Sequence, residues 1–219
     1  MMEDVIRELS AVTDVQWWGY LFSQDPMFGR VPAQQRAELI ARAVEEGVRA
    51  AREMRPAGFD GDMEALCEKL DVEIREEASY GTDDYILFAS FTEPRLVTLY
   101  TGNLDKLEVF LEDNAVAGMP DARGARALLL AHELYHFYEQ QHPDCFSEVY
   151  RFESHALGFI KLHARLVSLS EIAAMAFAKE LTGAAVHPCV LNVLLLLPHD
   201  AQKAAKMFRG MQTRMIELE

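Results

Sequence analysis

Ala127-Leu-Leu-Leu-Ala-His132-Glu133-Leu134-Tyr135-His136-Phe137-Tyr138-Glu139 is the stretch on which the reading of this chain turns. It is a helix-forming run, and His132 and His136 stand just over one turn apart, so both imidazoles leave the same face of a helix. Two imidazoles so placed can share one tetrahedral ion. Glu133 lies ~100° further round. There its carboxylate can take a proton from water polarised by zinc and return it to a leaving amine. The motif sits behind the apolar Leu128-Leu129-Leu130, where two histidines and a glutamate turned towards a core need a chemical reason to be there.

An open tetrahedral site needs a third protein ligand, expected from a later helix. Three residues qualify: Glu153, Glu171 and His155. We expect Glu153, because His142-Pro143-Asp144 is a turn that can bring a following helix, Ser147–Leu169, back antiparallel beside the first. Glu171 would require that whole helix to be looped out between ligands. His155 would point ~200° away from Glu153 on a shared helix, so the two cannot both face the ion. His142 is too close to His136 to fold back easily, His163, His187 and His199 read as surface or hydrogen-bonded histidines, and Cys145 ranks last as a soft ligand. Tyr135, Tyr138, Tyr150 and His155 are candidates for stabilising an oxyanion, and the tyrosines also read as core residues.

Outward from this helix, the chain reads as α, then a small sheet, then α. Val5, Ile6, Leu9 and Val12 recur at helical spacing, and a second helix opens near Pro32 and stops at Pro56 and Gly58. Its arginines, Arg30, Arg36, Arg42, Arg49, Arg52 and Arg55, alternate with glutamates as on a solvated face. Asp62 can cap a helix over Met63–Leu70, and Val72 and Ile74 alternate with charged residues as in a strand. Tyr85–Phe91 and Leu96–Thr101, separated by Thr92-Glu93-Pro94-Arg95, form a hairpin signal. Helices are expected near Asn103–Glu112, Ala122–Gln141, Ser147–Leu169, Ser170–Leu181, Val190–Leu197 and Asp200–Glu217, the last carrying a stripe of Met207, Phe208, Met211 and Met215. The fold class expected is α+β, mainly helical, with a small three-stranded sheet packed against the HExxH helix. The segments are residues 1–57, an N-terminal helical extension; 58–183, the domain holding the motif; and 184–219, a C-terminal helical segment packed on it.

Composition narrows the function. The 219 residues carry 21 basic and 35 acidic side chains, a net charge of −14 that repels phosphates and anionic lipid, so no direct nucleic acid or membrane partner is expected. Cys67, Cys145 and Cys189 are widely spaced without a CxxC, which suggests neither a disulfide framework nor a cysteine zinc site. The acidic opening MMEDVIRELS lacks the pattern of a signal peptide, and the longest apolar run is far short of the ~20 residues of a bilayer span, so a cytoplasmic location is expected.

From Met63 to Leu181 the sequence resembles the ImmA/IrrE-type metallopeptidases: a short helix, a strand, a hairpin, the Ala-His-Glu-x-x-His helix, and a following Glu-x-x-Ala-x-x-Phe segment. The resemblance implies a cut-down, thermolysin-like zincin fold, with one zinc ion on His132 and His136, Glu133 as general base and a downstream Glu as third ligand. It also implies a protein substrate, with helix-turn-helix transcriptional repressors as the typical target. Both Glu153-Ser-His-Ala156 and Glu171-Ile-Ala-Ala174 fit the second motif, and Ala178 completes it for Glu171. Tyr135 stands where the family commonly has Gly. Leu157 and Met175 stand where it commonly has Asn or Asp. The expected function is a zinc-dependent metallopeptidase cleaving a specific intracellular protein. The alternative is a zincin-fold sensor or binding protein with little proteolysis, and a third reading is a metal-dependent hydrolase acting on another bond.

Overall fold

A computed structural model describes residues 2–78, 81–82, 85–113, 118–156 and 160–216. Three helices come first: α1 (Met2–Ala11), α2 (Asp14–Ser23) and the long α3 (Ala33–Met54). Thr13 opens α2 with a capping box, its hydroxyl accepting from the Gln16 N–H while the Gln16 side chain accepts from the Thr13 N–H. α3 starts after Pro32 and ends before Pro56. Then come α4 (Met63–Lys69), capped by the Asp62 carboxylate, and the strands β1 (Glu73–Glu77), β2 (Gly81–Thr82), β3 (Tyr85–Ile86), β4 (Ala89–Thr92) and β5 (Leu96–Tyr100). β5 lies central in a mixed three-stranded sheet of order β1-β5-β4, parallel to β1 and antiparallel to β4, in the register Phe91 opposite Val97. The run Tyr85–Phe91 is therefore not one strand. Its first part pairs as β3 with β2, and only its last part joins the sheet as β4.

α5 (Thr101–Asp113) leads to α6 (Ala122–Gln141), the helix of the motif. Asp121 caps α6 by accepting the Gly124 N–H at 2.7 Å, and the helix stops at His142, before Pro143. Leu128, Leu130, Ala131, Leu134 and Tyr135 of α6 are buried between the sheet on one side and a later helix, α8 (Val167–Thr182), on the other. α8 ends in the left-handed residue Gly183, and its first turn is capped from a distance by Asp25, whose Oδ2 accepts the Ser168 N–H at 3.0 Å. α9 (Val190–Leu194) and α10 (Ala201–Ile216) complete the chain, and Glu217, expected at the end of the last helix, lies outside the described residues. Phe208, Met211 and Met215 of α10 are buried in the same core as Ile6, Leu9, Trp17 and Phe177, so one apolar cluster draws on all three segments of the chain.

Residues 147–169 differ from the expected helix. They form the short α7 (Phe146–Val149), then an antiparallel hairpin of β6 (Phe152–Ala156) and β7 (Ile160–Ala164), and only then the start of α8. The reason is visible in the sequence. Phe152, Ser154 and Ala156 alternate with Glu153 and His155, Ile160, Leu162 and Ala164 alternate with Lys161 and His163, and Gly158 separates the two runs. That period of two suits a strand and defeats a helix.

The arginines of α3 are tied down more than a solvated face requires. Arg36 donates to the carbonyls of Val31 and Phe28, Arg42 lies over the Phe146 ring, Arg49 pairs with Glu53, and Arg52 pairs with Glu180 of α8. Among the described residues no helix is long and apolar enough to cross a membrane.

Candidate metal centre

α6 presents His132 and His136 towards α8, and α8 answers with Glu171 in its first turns. The two Nε2 atoms lie 3.3 Å apart, His132 Nε2 lies 3.4 Å from Glu171 Oε2, and His136 Nε2 lies 3.8 Å from Glu171 Oε1. Zinc bonds of ~2.0–2.1 Å to nitrogen or oxygen put the corners of a tetrahedral site ~3.3–3.4 Å apart. Two of the three edges match that figure, and the third is a few tenths of an ångström longer. The donor set of two imidazoles and a carboxylate is the one a zinc site with an open position uses, and these residues form a group whose ligand atoms converge within 4.8 Å.

Glu153 is not brought to this cluster. It sits on β6 with its carboxylate on Lys161 of β7, 3.0 Å away, at the exposed face of the hairpin. The expectation that it would be the third ligand rested on a helix over 147–169. With a hairpin there instead, α8 itself lies along α6, and Glu171 stands where Glu153 was expected. His155 lies on β6 opposite Lys161, and its side chain is outside the described residues.

The charges at the cluster follow from its neighbours. Burial alone would lower the His132 pKa, but the Glu171 carboxylate, with Glu133 behind it, outweighs burial and raises it. Desolvation pushes Glu171 up, and the two imidazoles push it down harder, to about 2. Glu133 is buried and behaves oppositely: desolvation raises its carboxyl above the ordinary value, against the pull of the two histidines and of a hydrogen bond from the Phe91 backbone on β4. Glu133 is thus held between α6 and the outer strand of the sheet, beside the converging ligand atoms and not among them.

A second carboxylate of α6, Glu139, escaped the sequence reading. Its Oε2 lies 3.7 Å from His136 Nδ1 and accepts the Ser170 hydroxyl at 2.8 Å, and its Oε1 lies 3.5 Å from Arg165. The signal was in the quoted stretch: Glu139 follows His136 at a spacing of three, which puts the two side chains on one helix face.

The tyrosines are engaged elsewhere. Tyr135 is fully buried, and its hydroxyl donates to Glu46 of α3 at 2.8 Å. The Glu46 carboxylate also accepts from the Ser147 hydroxyl and from the backbone N–H groups of Phe146 and Ser147, which makes it a buried cap for α7. The Tyr138 hydroxyl donates to Glu53, and the Tyr150 ring packs on Phe146. Of the other histidines, His142 stacks on Tyr138, His199 meets Lys106, and His187 is buried against Trp17 and Trp18. The three cysteines are free and buried.

Comparison with protein-family models, with curated proteins and with solved structures finds no match to this chain.

Proposed function

We propose that this chain is a zinc-dependent peptidase in which His132, His136 and Glu171 hold the ion and Glu133 moves the proton. The observation that carries the reading is the convergence of the three ligand atoms at spacings close to tetrahedral edges, on two helices packed side by side. Zinc, when bound there, supplies a Lewis acid for a substrate carbonyl and lowers the pKa of water towards neutrality.

The protein's own residues account for the rest of the chemistry. Burial raises the proton affinity of Glu133, so its carboxylate is a better base than an exposed one and its conjugate acid can still protonate a leaving amine. The Phe91 backbone of β4 lies beside that carboxylate. β4 is an outer strand of the sheet and lies against α6, so an extended peptide laid along it would bring its backbone past Glu133. A peptide is therefore favoured over other hydrolysable bonds, and the resemblance to the ImmA/IrrE-type peptidases points the same way, with helix-turn-helix repressors as the first proteins to offer.

The test is cleavage of a proteome-derived peptide library by the zinc-loaded chain, read by mass spectrometry, beside Glu133→Gln. Wild type should generate new termini. Glu133→Gln should retain zinc and lose cleavage by ~10²–10⁴, the usual contribution of a general base. Zinc binding without any cleavage by wild type would overturn the peptidase reading in favour of a zinc-binding role alone.

A further inference from the structure

Glu139 is a carboxylate with 8% of its side chain exposed, and among the described residues Arg165, at 3.5 Å, is the basic side chain paired with it. Desolvation would raise its pKa, but His136, Ser147 and Ser170 beside it bring it below the ordinary carboxylate value. An ionised carboxylate taken out of water costs several kcal/mol unless its neighbours compensate. Here they are the Ser170 hydroxyl at 2.8 Å, the Arg165 guanidinium at 3.5 Å, which pairs more closely with Glu148 at 2.5 Å, and the His136 Nδ1 at 3.7 Å. Glu139 Oε1 makes no hydrogen bond among the described residues.

A carboxylate anion only accepts hydrogen bonds. Facing His136 Nδ1, it favours the tautomer in which that nitrogen carries the proton and Nε2 presents its lone pair to His132 and Glu171. Resting on the metal-binding reading above, we propose that Glu139 is the positioning residue of this centre: it fixes the tautomer and ring orientation of His136, and Ser170 fixes Glu139 in turn. Ser170 immediately precedes Glu171, so the Ser170–Glu139 hydrogen bond also ties the α8 ligand to the helix carrying the other two. His132 has no such support. Its Nδ1 is buried without a hydrogen-bond partner among the described residues. The orienting load thus falls on His136, from within its own helix.

The experiment compares wild type with Glu139→Gln and Glu139→Ala by two readouts. The first is zinc affinity by competition with a chromophoric chelator, together with the absorption spectrum of the cobalt-loaded protein. Loss of an outer hydrogen-bond partner to a ligand histidine weakens metal binding ~10–100-fold. Glu139→Ala should fall in that range and alter the cobalt spectrum. Glu139→Gln keeps an acceptor oxygen and should lose less. The second readout is nitrogen NMR of His136 in the metal-free chain at mildly alkaline pH, where wild type should be held in the Nδ1–H form and Glu139→Ala should mix tautomers. Wild-type affinity, spectrum and tautomer in both variants would overturn the proposal, even if their melting temperatures fell. If wild type takes up neither zinc nor cobalt, the metal reading falls, and the tautomer measurement still decides whether Glu139 controls His136.

Discussion

Two side chains in this molecule show how burial, as the largest influence, shifts proton affinity. Glu133 is a carboxyl whose proton affinity burial raises against the pull of His132 and His136, and the proposed proton transfer draws on that. His187 is the opposite case: it is 2% exposed, packed between the rings of Trp17 and Trp18, and burial holds its pKa down to about 3. In the unfolded chain a histidine titrates near 6.5, so between about pH 6.5 and 3 the unfolded state binds the extra proton. Stability is therefore fully present above that window and is lost as pH falls through it. By pH 4 the loss from His187 is on the order of 3 kcal/mol, at ~1.4 kcal/mol per pH unit. His187→Asn can keep the acceptor for the Cys189 N–H and removes the titrating ring. Urea unfolding at pH 7 and pH 4 should show a smaller difference between the two pH values in this variant, though it is less stable at pH 7. An undiminished difference would show that His187 is not the source of the acid sensitivity.

At the scale of elements, the position of α8 matters most, because it carries Glu171. α3 packs along α8 with Gly47 at the contact, and a Cβ there would lie 2.1 Å from the Ala173 carbonyl oxygen, two residues from the ligand. Alanine normally gains ~1 kcal/mol over glycine inside a helix. Gly47→Ala should instead destabilise by about 2 kcal/mol or more, since the obstacle is backbone and overpacking costs ~1–3 kcal/mol, and it should weaken zinc binding by shifting α8. Gly210 of α10 has open space around it, so Gly210→Ala should gain ~0.5–1 kcal/mol and leave zinc binding unchanged. Thermal melts and zinc titrations on the pair check both statements.

The same scale explains what could be read in advance. α6 was legible from its helix-forming run through Leu128-Leu129-Leu130 and the turn at His142-Pro143-Asp144, and with it the shared face of His132 and His136. The three-stranded sheet was legible from β-branched and aromatic runs, although the break between β3 and β4 was not. The hairpin of β6 and β7 was misread because short runs such as Ile160-Lys-Leu-His-Ala164 satisfy helix and strand alike until Gly158 and the alternation are given weight. With the hairpin in place of a helix, Glu171 and not Glu153 converges with His132 and His136. The Glu139–Ser170 contact needed the packing of α6 on α8, and no local pattern encodes which faces of two helices meet.

Over the whole molecule, one apolar cluster joins α1 and α2 at one end of the chain to α10 at the other, a second gathers Phe22, Leu39 and Ile172, and the sequence carries an acidic excess of 14 from which Asp25, Glu46, Glu133 and Glu139 are drawn inside. The candidate centre lies where α6 and α8 meet within this frame, so His132, His136 and Glu171, far apart in sequence, come together only in the folded chain. The proposed zinc binding would then depend on the fold as well as on the motif. The most direct measurement is a zinc titration of the folded, metal-free protein beside Glu171→Gln and Glu153→Gln. The account predicts one ion per chain for wild type, a strong loss of affinity in Glu171→Gln, and wild-type binding in Glu153→Gln. No uptake by wild type, or loss in Glu153→Gln with retention in Glu171→Gln, would contradict it.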